Sequence, residues 1–354
     1  MKRYFFAFLV FISCGGRNAQ DNNLPSTITV PSGTFTNPLL PSGPDPWVTY
    51  HDGFYFYTNS TQKNVTVWKT KNIVDLRSAE KKIVWTAPLV GPDSHDIWAP
   101  EIHFVRGKWY IYFAADAGQN SSHRIWVIEN PSSDPLLGDW TLKGKVRGIS
   151  DHWAIDATVF EDRGQLFISW SGWEKTKNGV QNIYIARLKN PWTAGSKRTK
   201  LSHPEYSWEK IDVNRIAAKG DPPHIDVNEG PEIVKHGEKI FLIYSASGCW
   251  TDNYALGMLE ATSGSDLLKV SSWKKSAQPV FQQSPEAHVY GTGHNSFFKS
   301  PDGNQDWIIY HANSHPNEGC GEHRSPRVQP FTWNADGTPN FGKPISSGIP
   351  IQRP

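Results

Sequence analysis

Three acidic residues stand at one offset from three glycines. Asp45 lies eight residues before Gly53, Asp156 eight before Gly164 and Glu229 eight before Gly237. Each glycine sits in a turn between an apolar segment and a segment of alternating aromatic residues, so equal offsets predict equal heights on equivalent strands. Carboxylates gathered at one place repel, and at least one is expected to hold its proton at neutral pH. A protonated carboxyl beside an ionised one suits acid/base cleavage of a glycosidic bond. One donates to the leaving oxygen and the other activates water. A single acid near a strand start would be read as a loop cap or a ligand of a structural cation. Three at a shared offset favour an active site.

The elements that must position these acids recur along the chain. An apolar strand, a turn with glycine and an aromatic strand appear at 45–60, 99–116, 156–172, 229–247 and 294–313. The turn glycines Gly53, Gly107, Gly164, Gly237 and Gly303 are spaced by 54, 57, 73 and 66 residues. Further strand-like segments follow several copies, as at 124–130, 181–188 and 254–261. Five units of about four strands each predict an all-β, five-bladed β-propeller over residues 30–354, with the first strand of each blade lining the axis. A pair of β-sandwiches is the alternative, disfavoured by the likeness of the five hairpins. Composition agrees: 16 Trp, 12 Tyr, 17 Phe, 29 Gly and 26 Pro in 354 residues suit short strands and tight turns. A net charge of +2, from 36 basic and 34 acidic residues, argues against nucleic acid held on a broad basic face. A mean hydropathy of −0.52 excludes a polytopic membrane protein.

The N-terminus reads as an export signal over residues 1–19: Lys2 and Arg3, then an apolar run from Tyr4 to Ile12 too short to span a bilayer. It ends in Phe11-Ile12-Ser13-Cys14, which resembles a bacterial lipobox with Cys14 as lipid acceptor. A signal peptide cut near Ala19 is the alternative. Either reading places the protein in the periplasm or at the cell surface, touching membrane only through a lipid anchor. Cys249 and Cys320 then remain as a pair that an oxidising compartment allows to bridge, buried free thiols being the other reading.

Trp98, Trp153 and Trp250 fall near the expected acidic mouth, where an indole face suits the apolar face of a sugar; packing between blades is the alternative. His311, His315, Cys320 and His323 match no zinc spacing, and neither a phosphate loop nor a Gly-x-Ser-x-Gly elbow occurs.

The segments Pro44-Asp45-Pro46, Ile155-Asp156-Ala157 and Val227-Asn228-Glu229-Gly230-Pro231 resemble glycoside hydrolase family 43, most of all its α-L-arabinofuranosidases. Trp98-Ala99-Pro100-Glu101, Gly293-His294-Asn295-Ser296 and the stretch from Arg327 to Trp333 strengthen the likeness, which runs over about residues 30–354. The resemblance implies Asp45 as general base, Glu229 as general acid and Asp156 as the residue that orients the acid and raises its pKa. It implies single-step inversion, with base and acid roughly 6.5–9.5 Å apart. It also implies that His294 faces a calcium ion or a water in the central channel, and that Arg327 reaches substrate hydroxyls or the base. The expected substrate is arabinan or an arabinose-substituted plant polysaccharide attacked at terminal residues by a monomer, with no cofactor needed for the chemistry. A β-xylosidase of the same family and a non-catalytic sugar-binding propeller are the alternatives.

Overall fold

The computed structural model describes residues 31–149, 151–217 and 221–354, so the export signal and Cys14 lie outside the described residues. The chain is all-β, with 49% strand and 6% helix, the helices being short 3-10 turns. Among the described residues no helix is long and apolar enough to cross a membrane.

Five antiparallel hairpins follow one another along the chain. They pair Trp47–His51 with Phe54–Thr58, His95–Val105 with Lys108–Asp116, and Ala154–Asp162 with Gln165–Trp173. Asp226–His236 then pairs with Lys239–Ala246, and Tyr290–Lys299 with Asp306–Asn313. A third strand joins each hairpin, respectively Asn64–Thr70, Arg124–Asn130, Val180–Asn190, Ala255–Thr262 and Ser325–Trp333. Further outer strands complete each group. The third and fourth groups merge into one nine-stranded sheet through parallel pairing of Val180 with Asp226 and Gln181 with Val227.

The core lies between successive groups and closes on itself. Trp47 and Phe56 of the first pack with Ile102 and Trp109 of the second, and Tyr112 of the second with Ile168 and Trp170 of the third. Ile183 of the third meets Leu242 of the fourth, and Ile243 of the fourth meets Tyr310 of the fifth. Trp307 and Ile309 of the fifth return to Val48 and Tyr55 of the first. Trp109, Trp170 and Trp307, one from each of three second strands, are at most 1% exposed. Every group thus buries both faces, which removes most of the aromatic surface from water.

Turn chemistry sets the register. Asp52-Gly53, Arg106-Gly107 and Arg163-Gly164 are two-residue turns with both φ angles positive, the type I′ geometry that matches strand twist. In the fourth hairpin His236 pairs with Lys239, so the turn is Gly237-Glu238 and glycine holds its first place, not its second. Counting back from glycine therefore lands one residue early there.

A bulge near the start of each inner strand makes the shift visible. The register skips between Trp98 and Glu101, Ile155 and Thr158, Glu229 and Glu232, and Gly293 and Ser296. The first skipped residue is left-handed each time: Ala99 (φ 42°), Asp156 (54°), Gly230 (53°) and His294 (47°). Asp45 (φ 56°) takes the corresponding place before Trp47, since Ser60 N bonds Pro44 O. The true equivalent of Asp45 and Asp156 is thus Gly230, and Glu229 stands one position before it. The shared offset of three acids is corrected to two acids in the bulge and one beside it.

Candidate active site

Bulges turn side chains out of strand alternation, and here they aim acids from the first, third and fourth inner strands into one cavity of about 340 Å³. Asp45, Asp156 and Glu229 all line it, each at most 8% exposed. A left-handed non-glycine residue costs of order 1–3 kcal/mol, a strain that Asp45, Asp156 and His294 all carry at this cavity.

Their surroundings drive the acids apart. Arg324 Nη1 donates to Asp45 Oδ1 at 2.7 Å, Ser60 Oγ donates to Oδ2 at 2.5 Å, and His294 Nδ1 lies 3.3 Å from Oδ1. Burial alone would raise the Asp45 carboxyl, but Arg324, His294, His311 and the Ser60 hydroxyl override it and hold it well below the usual carboxylate range. Ser60 Oγ also accepts from Ala99 N at 2.7 Å, which fixes the hydroxyl as a donor to Asp45. The Asp45 amide donates to His311 Nδ1 at 3.1 Å, so that imidazole carries its proton on Nε2.

Glu229 is pushed the other way, to about 7, by burial first and by the charge on Asp45, against a bond from Tyr254. Tyr254 Oη donates to Glu229 Oε1 at 2.8 Å. Burial, then Glu229 and Asp45, lift Asp156 well above its ordinary value, while the Gly230 amide donates to Asp156 Oδ2 at 3.1 Å. Asp156 thereby grips the backbone next to Glu229. The Asp156–Glu229 pair retains a proton near neutrality beside an ionised Asp45.

The three tryptophans expected at the mouth line the cavity. Trp98 donates through Nε1 to Gln62 and stacks on His123, Trp153 stacks on Trp173 and donates to Asn120, and Trp250 donates to Asp212 Oδ1 at 2.8 Å. Trp153 is only 3% exposed, so it offers substrate an edge rather than a broad face. Arg215 bonds both oxygens of Asp212 and lies over the Trp250 ring. A disulfide joins Cys249 to Cys320, both on the cavity wall.

Two expectations are corrected. Arg327 is fully buried away from the cavity, donating to Ser347 Oγ and Ser314 Oγ. The arginine at Asp45 is Arg324, which precedes the strand Ser325–Trp333 and is free of its alternation. The Nδ1 edge of His294 faces Asp45 Oδ1 at 3.3 Å. The oxygen nearest its Nδ1 is already taken by the Arg324 guanidinium, whose charge repels a dication, and imidazole is a poor calcium ligand. The donor set does not fit calcium there.

Sequence reasoning missed Ser60, Tyr254 and Arg324. Ser60 lies just after the strand Phe54–Thr58 and Tyr254 just before Ala255–Thr262, outside the strand alternation, and Arg324 was overshadowed by its neighbour three residues on.

Comparison with known proteins agrees with this geometry. The family model for glycosyl hydrolases family 43 matches residues 35–339. The chain is 39% identical over 328 residues to an extracellular exo-α-(1→5)-L-arabinofuranosidase of Streptomyces avermitilis, covering 90% of this chain and 65% of that relative. It is 34% identical to α-L-arabinofuranosidase 43 of Humicola insolens, again spanning 65% of that protein's length. The crystal structure of an α-L-arabinofuranosidase from Lactobacillus brevis superposes with a TM-score of 0.81 at 38% identity, covering 89% of this chain and 98% of that one. From the carboxylate cavity and these likenesses together, the chain belongs to glycosyl hydrolase family 43.

Proposed function

We propose that the protein is an exported, inverting α-L-arabinofuranosidase that releases terminal arabinofuranosyl residues at the mouth of a five-bladed β-propeller. The observation that carries this reading is the separation of charge among three acids in one cavity: Asp45 held ionised, Glu229 raised to about 7 and Asp156 raised beside it. Asp45 is the general base. It takes a proton from a water that attacks the anomeric carbon, while Glu229 gives its proton to the departing glycosidic oxygen. One carbon–oxygen bond forms as the other breaks, and the configuration inverts. Asp156 keeps the Glu229 backbone in place through Gly230, and its own carboxyl is raised by burial and by the neighbouring Glu229 and Asp45. The chemistry requires no cofactor.

The ring of five strand groups, each packed on the next, supports the propeller, with each group as one blade. A cavity of about 340 Å³ lies at the small end of the roughly 300–1,000 Å³ range of ligand pockets, which favours a terminal sugar over a threaded chain. The name of the Streptomyces avermitilis relative, an extracellular exo-α-(1→5)-L-arabinofuranosidase, supports arabinan-type substrates and export. The export signal within residues 1–19 would then supply Cys14 as the lipid acceptor, and residues 30–354 would be the catalytic unit.

Aryl and natural arabinosides test the roles. Glu229→Ala is expected to lower kcat/KM on arabino-oligosaccharides by about 10²–10⁴-fold but far less on an aryl arabinofuranoside whose leaving group needs no proton. Asp45→Ala should abolish both. Equal losses in Glu229→Ala would remove its assignment as the acid, and faster turnover of aryl xylosides than arabinosides would favour a β-xylosidase.

A further inference from the structure

Beneath the Trp98 ring lies a cluster that the glycosidic chemistry does not use. His123 is fully buried and stacks on Trp98, ring centres 4.1 Å apart and 28° from parallel. Its Nε2 lies 3.3 Å from the Asp96 carbonyl oxygen and its Nδ1 3.1 Å from the Asn120 carbonyl oxygen, so a neutral ring donates to one of these acceptors and turns its lone pair on the other. With the proton on Nε2, the Nδ1 lone pair faces three oxygens: Asn120 O at 3.1 Å, Asn120 Oδ1 at 3.2 Å and Asp116 Oδ2 at 3.3 Å. The amide orientation of Asn120 is fixed by Trp153 Nε1, which donates to that same Oδ1 at 3.0 Å.

Asp116 sharpens the problem. It is fully buried, its Oδ1 accepts from the Gly118 amide at 2.8 Å, and its Oδ2 has no hydrogen-bond donor among the described residues. The Asp96 carboxylate stands close by: one ligand atom each from Asp96, Asp116 and His123 lie within 4.8 Å of one another. Electron-rich atoms gathered around a lone pair repel unless a positive charge lies between them.

We propose that Asp96, Asp116 and His123, with an oxygen of Asn120, bind one divalent transition-metal ion of the zinc or manganese class. One imidazole nitrogen with two carboxylates suits such ions better than calcium, which prefers oxygen alone. A ligating histidine whose other N–H is held by a backbone carbonyl is the usual outer arrangement of such sites. The ion touches no reacting atom. It positions the cavity wall, because His123 carries Trp98 and Asn120 holds Trp153, and all of Trp98, Asn120 and Trp153 line the cavity.

The test uses the full chain, stripped with chelator and titrated calorimetrically with zinc, manganese and calcium chlorides. The expected result is one saturable zinc or manganese site per chain, with calcium at least tenfold weaker. Asp96→Asn and Asp116→Asn should each weaken binding at least tenfold, and equal melting of the stripped forms will show that these variants fold. Metal should raise the melting temperature of the wild type and lower its KM for arabinosides while leaving kcat unchanged. The proposal is overturned if the stripped wild type binds none of the ions saturably. It is equally overturned if both variants bind as the wild type does, or if nitrogen-15 NMR finds His123 doubly protonated with zinc present in excess.

Discussion

Tyr254 donates to Glu229 Oε1 at 2.8 Å, a bond that favours the ionised carboxylate and so works against the acid's task. The acid must be protonated to act, and its pKa is pushed up to about 7, so kcat/KM on natural arabinosides should fall as pH rises through that value. Tyr254→Phe removes the opposing bond and is expected to move the alkaline limb upward by about half a unit to one unit, the equivalent of one hydrogen bond. Arg324→Gln acts on the other limb. Asp45 must be ionised to act, and without its guanidinium partner burial raises its carboxyl, so activity should be lost at a higher pH on acidification. The pH profile of Arg324→Gln should therefore narrow from the acid side; a profile unchanged on that side would mean that Arg324 does not hold the base ionised.

The bulge is the element that makes the site. Four of its five left-handed places hold residues that pay strain, and the fifth is Gly230, whose added Cβ would meet the His294 ring at 3.4 Å. Gly230→Ala is expected to destabilise the protein by about 1–2 kcal/mol and to lower kcat more than KM, since it shifts Glu229 and His294 together. Thermal melting alongside steady-state kinetics checks this, and an unaltered kcat would count against the bulge as the positioning device. Much of the hairpins that carry the bulges was legible in the sequence. The period of aromatic hairpins announced the strands, and Asp45 and Asp156 were correctly matched by counting back from glycine. Glu229 was reached by the same count only because the fourth turn puts glycine one place earlier. Nothing in the sequence marks a bulge, since a left-handed residue there can be Asp, Ala, Gly or His.

At the scale of the molecule, the ring of packed groups was readable from hairpin repetition, whereas contacts between distant segments were not. Arg324 reaches Asp45 across 279 positions, and Gln62, Asp212 and Asn120 hold the cavity tryptophans from separate loops. The Cys249–Cys320 disulfide closes a loop of 71 residues on the cavity wall. Replacing both cysteines by serine should cost about 2–5 kcal/mol and lower Tm by roughly 3–7 °C. Because Trp250 adjoins one half and Arg324 lies near the other, KM should rise as well; a change in Tm alone would show that the bridge stabilises the fold without shaping the cavity.

The proposed function requires Asp45 and Glu229 to act on opposite sides of one bond in a single displacement. NMR of the first-formed sugar during hydrolysis of an α-linked arabinofuranoside tests it most directly, before mutarotation mixes the anomers. β-Arabinofuranose is the expected initial product. An α-anomer appearing first would contradict it and would require a covalent intermediate on one of the three acids.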